Sequence, residues 1–192
     1  AMLYYPNNTI QHAGVALGIG GVAGHLHLNK PRGYFGDFGR TELIQNYSAV
    51  TGACMIMRTE IYNEVNGLDA ENLSVAFNDI DICIRIREAG YLIVWTPYAE
   101  MMHHESASRG SDQSSDKIAR FTREVKYMKE KWNTILEKDP FYNPNFSLKD
   151  GYYTIATRTR TPKPWLINMK GTHPNVRTSN IILSNEKTID GT

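Results

Sequence analysis

The sequence lacks the features that mark secreted, membrane-spanning or nucleic-acid-binding chains. Its 192 residues include only two cysteines, too few for a disulfide framework, which favours reduced thiols and a cytosolic protein. No apolar run approaches the roughly 18 residues needed to cross a bilayer. The 21 basic and 20 acidic side chains leave a formal net charge of +1, so no long-range field attracts nucleic acid. An anionic ligand must therefore be held by local contacts.

The composition predicts one domain followed by a tail. With 41% hydrophobic residues, the chain can form a single core, since domains commonly hold roughly 100 to 200 residues. After Leu148 the sequence becomes polar, with few apolar anchors. We therefore expect a domain over residues 1–148 and an extended, partly ordered tail over residues 149–192.

The stretch Phe77–His104 combines a helix with a short apolar strand. Asn78 is a good helix N-cap and Gly90 suits the left-handed position after a helix, which predicts a helix from Asp79 to Ala89. Residues 91–95, YLIVW, are almost wholly apolar, as expected for a strand buried on both faces. Helix and strand in this order are typical of an α/β layer fold.

Local structure is also predicted elsewhere in the chain. Periodic apolar residues predict a long helix at 117–138; its stripe comprises Ile118, Phe121, Val125, Met128, Trp132 and Ile135. The other predicted elements are a hairpin within 2–17, a glycine-rich mobile flap over 18–39, a short helix at 41–47 and a core strand at 49–58. Inside that strand, Gly52 indicates close approach by another backbone or a ligand.

Two acidic residues at the start of the central helix are candidates for chemistry. Asp79 and Asp81 lie in the first turn, where the helix dipole stabilises negative charge by about 0.3–1 kcal/mol without any function. Asn78 and Asp81 have capping-box spacing, which explains Asp81 structurally. Asp79 is less well explained, because a carboxylate in this apolar segment is poorly solvated unless it faces a cleft. A metal site on this pair is disfavoured, since residues two apart on a helix diverge by about 200°.

Histidines are the other candidate ligands. His103 and His104 follow the predicted strand, and ligands of α/β sheets gather at the carboxyl ends of strands. Adjacent residues of an extended chain point to opposite faces, so only one of the two should enter a site. For His25 and His27, polar loop residues are a simpler interpretation than metal ligands. A zinc hydrolase using Asp79, His103 and one of these two is an alternative, with no HExxH or paired-cysteine spacing to favour it.

Three motifs together resemble a known family. NDID at 78–81, WTPYAE at 95–100 and HHESASRG at 103–110 are similar to the C-terminal half of the catalytic domain of family 2 glycosyltransferases, which have the GT-A fold. The resemblance extends over residues 3–145 and is closest to bacterial members that build cell-surface polysaccharides. It implies an α/β fold: a partial GT-A (Rossmann-like) domain with a mixed sheet flanked by helices, then the long helix and the tail.

The resemblance also implies a reaction and roles for residues. Such enzymes move a sugar from a nucleotide-sugar donor to an acceptor hydroxyl with inversion, and Asp79 falls where the family has its general base. His103 corresponds to the histidine that joins a Mg²⁺ or Mn²⁺ ion on the donor diphosphate. The residues expected to bind substrate are Gly52, Asn78 and Arg109, the last once its loop closes over the donor.

The family's nucleotide-binding half, with its D-x-D metal motif, precedes the block that this sequence resembles, and Asp79-Ile80-Asp81 matches the base motif instead. We therefore expect a fragment of a metal-dependent, inverting glycosyltransferase that is inactive alone. Its partners would be a nucleotide-sugar and a glycan or lipid-linked acceptor, not nucleic acid, in the cytoplasm or at the inner face of the membrane. The alternative is a non-catalytic module that binds glycan or protein. In either case, homo-oligomers would form through exposed sheet edges.

Overall fold

A computed structural model describes residues 1–104 and 115–161. Residues up to Arg160 form one compact unit, and a second unit begins at Thr161. The helices are α1 (Thr59–Glu64), α2 (Asn78–Glu88) and α3 (Ser115–Glu137). The strands, in chain order, are β1 (Met2–Tyr4), β2 (Ile10–His12), β3 (Val15–Leu17), β4 (Ala23–His25), β5 (Gln45–Tyr47), β6 (Ile93–Trp95) and β7 (Glu100–Met102).

The central sheet is mixed, as the resemblance implied. β1 lies between β2, which is antiparallel to it, and β7, which is parallel to it. β3 pairs with β4 and β5 with β6, both in antiparallel arrangement. The hairpin predicted at the start of the chain is present as β1 and β2. Because β7 joins this hairpin, the residues after β7 are brought beside the first strands of the chain.

α2 is the buried centre of the unit. Its residues Ile80, Ile82, Cys83, Ile84 and Ile86 are at most 6% exposed, as expected for a helix that is apolar around most of its circumference. Burial also raises the pKa of the Cys83 thiol to about 12, which keeps this cysteine protonated and unreactive. The predicted central helix is confirmed, with a shift of one residue at each end.

The start of α2 differs from the prediction. Phe77 precedes the helix in the left-handed conformation, with φ 63°, and no side chain caps the helix. Asn78 is the first helical residue, so its predicted role as N-cap is wrong. The capping-box interpretation of Asp81 is also wrong, because its carboxylate is fully buried and bonds to α3.

Asp81 connects three parts of the unit. Its Oδ1 accepts hydrogen bonds from Lys131 Nζ and Trp132 Nε1 of α3, both at 2.8 Å. Its Oδ2 accepts a hydrogen bond from Arg85 Nε, also at 2.8 Å. Arg85 in turn donates to two main-chain carbonyls in the turn after α1. The buried carboxylate therefore holds α2, α3 and this turn together.

Several local predictions are corrected by the structure. β6 is not buried on both faces, because Val94 is 55% exposed. Residues 49–58 form no strand and instead contain a 3₁₀ turn at Gly52–Cys54. The helix predicted at 41–47 is replaced by a 3₁₀ turn at Asp37–Glu42 and by β5. Short apolar runs such as these do not distinguish between strand, helix and irregular packing by pattern alone.

The first half of the glycine-rich segment, residues 18–28, packs on the core, whereas most of residues 29–38 are exposed. Its mobility stays a prediction. The segment contains a 3₁₀ turn at Ile19–Gly21 and strand β4, and Val22 and Leu26 are buried in the core. Several of its glycines, including Gly18 at φ 84°, have left-handed backbone conformations, which other residues adopt with strain. The glycines therefore allow tight turns against the core.

α3 confirms the predicted long helix, but its buried face differs from the predicted stripe. Met128 and Trp132 are buried, whereas Ile118 and Phe121 are 60% and 51% exposed. Glu124, which is not part of the predicted stripe, is only 2% exposed. The N-terminal half of α3 therefore buries an acid where the apolar pattern predicted a hydrophobic contact.

The Glu124 carboxylate supports the loop that leads into α2. It accepts hydrogen bonds from the Ser74 hydroxyl at 3.0 Å and from the N–H groups of Val75 and Ala76 at 3.1 and 2.9 Å. Buried polar groups are normally paired in this way. α3 thus fixes residues 74–76, which end two residues before α2 begins.

The first residues of the predicted tail, 149–160, are part of this unit. The Ser147 N–H donates to the Thr154 carbonyl at 2.7 Å, and the Tyr153 ring lies 5.4 Å from that of Tyr142. The predicted tail beyond residue 161 lies outside the described residues. None of the helices described is long and apolar enough to span a membrane.

His27 is buried among aromatic rings. Its ring lies 5.3 Å from that of Tyr153 and 5.8 Å from that of Tyr34. Burial lowers its pKa from 6.5 to about 4, because the desolvated imidazolium is disfavoured. Between these pH values the unfolded chain binds a proton that the folded chain does not, so stability falls as the pH falls through this window.

We expect the free energy of unfolding to decrease between pH 7 and pH 5, and His27→Asn to remove about 2 kcal/mol of that decrease. Asparagine does not titrate and tolerates the positive φ of 57° at this position. Urea unfolding at both pH values measures the effect. The exposed His104, changed to Asn, is the control and should leave the decrease intact. An unchanged decrease in His27→Asn would contradict the assignment.

Candidate functional site

An open cleft of about 1020 Å³ lies where α2 begins. The residues that line it include Gly52 from a 3₁₀ turn, Asn78 and Asp79 from the first turn of α2, and His103 and His104 from the chain after β7. The fold therefore brings four of the predicted site residues to one cleft. Arg109, the remaining one, lies outside the described residues.

The carboxylate of Asp79 is held by two backbone amides. Its Oδ2 accepts a hydrogen bond from the Gly52 N–H at 2.8 Å, and its Oδ1 accepts one from the Ile80 N–H at 2.9 Å. A Cβ at position 52 would lie 3.3 Å from the Asp79 Cβ, so a larger residue would require the acid to move by a few tenths of an ångström. The close approach predicted at Gly52 is present, although the approaching group is a side chain.

Asp79 is suited to accept a proton from a substrate hydroxyl. It is half-buried at the edge of the cleft, in the first turn of α2. An ionised carboxylate has about four lone-pair sites, so the two amide bonds leave room for a further hydrogen bond. The backbone contacts orient the group without using its capacity to accept a proton.

His103 continues the ladder between β7 and β1. Its N–H donates to the Tyr4 carbonyl at 2.9 Å, which fixes its main chain at the end of β7. Its ring nitrogen Nδ1 lies 2.8 Å from Oε1 of Gln11 on β2. The histidine pair thus follows β7, a strand that the sequence analysis did not identify, and not β6. His103 is half-buried and His104 is exposed.

The cleft residues could supply part of a divalent-cation site. Nδ1 of His103 is engaged by Gln11, which leaves Nε2 as the ring nitrogen that can bind a cation. In the parts of the chain described here, 1–104 and 115–161, no group of three or more His, Cys, Asp or Glu residues could hold a metal ion. A cation beside His103 would therefore need further ligands from its substrate or from other protein segments.

The zinc alternative fails on the positions of the other histidines. The described lining of the cleft contains neither His25 nor His27. Nδ1 of His25 lies 3.0 Å from Nδ1 of His12, while His27 is buried among tyrosines. A zinc site that combines Asp79, His103 and either of these histidines is therefore wrong.

The lining of the cleft also includes apolar side chains. Met55 and Met57 come from the segment that the sequence analysis predicted as a strand, and Tyr62, Leu68 and Val75 are further lining residues. Binding sites commonly combine an apolar surface with a few fixed polar groups. The cleft could therefore orient a substrate that has both an apolar face and hydroxyl groups.

Part of the chain matches a known protein family, and most of it is similar to segments of longer bacterial proteins. The family described as "Glycosyltransferase like family 2" matches residues 35–126, which include α1, α2 and the histidines after β7. No solved structure matches the chain.

Three curated relatives illustrate the similarity. An uncharacterized protein, y4gI, of Sinorhizobium fredii is 52% identical over 88% of this chain and 18% of its own length. The O-antigen biosynthesis protein RfbC of Myxococcus xanthus is 35% identical over 76% of this chain and 11% of its own length. The N-acetylglucosaminyl-diphospho-decaprenol L-rhamnosyltransferase of Mycobacterium tuberculosis is 35% identical over 34% of this chain and 21% of its own length. The chain thus spans only a small part of each relative.

Proposed function

Since residues 35–126 belong to the glycosyltransferase-like family 2, we propose that this chain is the acceptor-side part of a metal-dependent, inverting glycosyltransferase. The observation that carries the proposal is the cleft in which Asp79, Gly52, Asn78 and His103 meet. These residues come from three separate segments of the chain, and all four lie within the region matched to the family.

In the proposed reaction, Asp79 is the general base. The acceptor hydroxyl binds beside its carboxylate, and the proton passes to Asp79 as the hydroxyl oxygen attacks the anomeric carbon of the donor sugar. The bond from that carbon to the donor phosphate breaks on the opposite side, which inverts the configuration. The Gly52 and Ile80 amides hold the carboxylate during this step. Such orientation of reacting groups lowers the barrier by avoiding the entropy of alignment.

A Mg²⁺ or Mn²⁺ ion, when bound, would neutralise charge on the departing diphosphate. His103 is the residue of this chain that we assign to hold it, through Nε2. Arg109 would add positive charge near the diphosphate. Asn78 and Gly52 would contact the substrate at the start of α2. The remaining metal ligands and the nucleotide-binding residues would come from segments additional to those described.

The named relatives support a role in surface polysaccharide synthesis. One is an O-antigen biosynthesis protein, and another is a rhamnosyltransferase named for a decaprenol-linked sugar. We therefore propose a nucleotide-sugar donor and a glycan or lipid-linked acceptor for this chain. The site of action would be the cytoplasm or the inner face of the membrane. The partly exposed residues Met101 and Met102 on β7 would be available for association between copies.

Transfer itself is the direct test. A polypeptide that contains these residues and the donor-binding segments of the longer relatives should release nucleoside diphosphate from a nucleotide-sugar when acceptor and Mn²⁺ are present. EDTA should abolish the release, and the 192-residue chain should show none.

The control is binding by the 192-residue chain, measured by calorimetry with nucleotide, Mn²⁺ and oligosaccharide in turn. If the longer polypeptide neither binds nor turns over a nucleotide-sugar, while the chain binds oligosaccharide, the non-catalytic module is the correct function.

A further inference from the structure

Gln11 makes a buried side-chain contact with the histidine of the cleft. It lies on β2 and is 5% exposed, and its Oε1 is 2.8 Å from Nδ1 of His103. The two residues are 92 positions apart in sequence and meet because β2, β1 and β7 are neighbours in one sheet. The His103 main chain is fixed independently by its hydrogen bond to the Tyr4 carbonyl. Both ends of His103 are therefore held by the first strands of the chain.

The chemistry of this contact determines where the imidazole carries its proton. An amide oxygen only accepts hydrogen bonds, so Nδ1 of a neutral His103 must be the donor and must carry the hydrogen. Nε2 then keeps its lone pair. The opposite tautomer would put a hydrogen on Nε2, and that nitrogen could no longer bind a cation or accept a hydrogen bond.

We propose that Gln11 is a positioning residue that holds His103 in the Nδ1–H tautomer, so that Nε2 offers a lone pair to the cleft shared with Asp79. Histidines that bind metals commonly donate their second ring N–H to a carbonyl or carboxylate, which fixes ring orientation and tautomer. A role for this lone pair in holding the donor's cation rests on the proposed function. The tautomer itself does not, because it follows from the contact within this chain.

The test is the tautomer of His103 in the ¹⁵N-labelled 192-residue chain. Long-range ¹H–¹⁵N spectra distinguish protonated from unprotonated ring nitrogens. The signals that disappear from the spectrum of the His103→Gln variant are those of the His103 ring. We expect protonated Nδ1 and unprotonated Nε2 in the unmodified chain. Gln11→Met, which keeps the length but has no amide acceptor, should shift the population towards Nε2–H, whereas Gln11→Glu should retain Nδ1–H.

A His103 that is predominantly Nε2–H in the unmodified chain would overturn the proposal. A Gln11→Met variant with the same Nδ1–H population as the unmodified chain would also overturn it. If Gln11→Met does not fold, the unmodified chain and Gln11→Glu still decide the question.

In the longer polypeptide, Gln11→Met should weaken Mn²⁺-dependent donor binding about 10- to 100-fold, and Gln11→Glu should restore most of it. Equal losses in both variants would indicate a merely structural role. Absence of transfer with the expected tautomer would refute the proposed function and leave the positioning role intact.

Discussion

Replacing Asp79 with asparagine is expected to lower sugar transfer by about 10²- to 10⁴-fold, the usual contribution of a positioned general base. An asparagine amide oxygen can still accept the Gly52 N–H that now bonds to Asp79 at 2.8 Å, whereas the bond from the Ile80 N–H is lost because an amide nitrogen only donates. The amide cannot take the acceptor's proton, however. The measurement is steady-state transfer by the longer polypeptide with donor, acceptor and Mn²⁺.

Asp116→Asn is the matched control for this substitution. Asp116 also lies in the first turn of a helix, α3, but it is exposed and is absent from the described cleft lining. Its replacement should leave transfer unchanged. Donor binding, measured by calorimetry, should be nearly the same in both variants and in the parent. Normal turnover by Asp79→Asn would show that another group takes the proton.

Replacing Asp81 with asparagine is expected to destabilise the unit by about 3 to 5 kcal/mol, as when one partner of a buried ion pair is removed. The substitution leaves the charges of Lys131 and Arg85 facing a neutral amide, although their side chains are only 28% and 18% exposed. A loss of this size is a large fraction of the stability of a typical domain, about 5–15 kcal/mol. Guanidinium unfolding at neutral pH measures it.

An exposed ion pair on α3 provides the control. Lys126 and Glu130 of α3 lie 3.7 Å apart with side chains 74% and 67% exposed. Glu130→Gln should change the free energy of unfolding by less than about 0.5 kcal/mol, because solvent screens such pairs. If Asp81→Asn were equally mild, the buried carboxylate would not be the connection between α2, α3 and the turn after α1.

The two helices that organise the unit could be predicted from the sequence, because their signals are local. A glycine after α2 and the apolar periodicity of α3 are properties of neighbouring residues, and the observed bounds differ from the predicted ones by at most two residues. The placement of Asp79 at a cleft also followed from a local argument. A carboxylate within an apolar segment needs either a partner or water, and Asp79 has both amide partners and an open cleft.

The rest depends on contacts between residues far apart in sequence. The partner of His103 is Gln11. Gln11 lies on β2, at the opposite edge of the three-stranded sheet from β7, and no sequence pattern near either residue indicates the pair. Glu124 resembles an ordinary acid on a helix surface until its bonds to the loop at 74–76 are known. Strand β7 has three exposed or partly exposed residues, so its pairing with β1 leaves no apolar pattern to detect.

The buried Glu124 also has a consequence for how the protein could be engineered. α3 supplies none of the described residues of the cleft lining, yet its carboxylate anchors the loop immediately before Phe77, Asn78 and Asp79. The orientation of Asp79 thus depends on a helix that does not line the cleft. A redesign that tilts or lengthens α3 would change the position of Asp79 even if every cleft residue were kept. An attempt to change the turnover rate must therefore also consider α3.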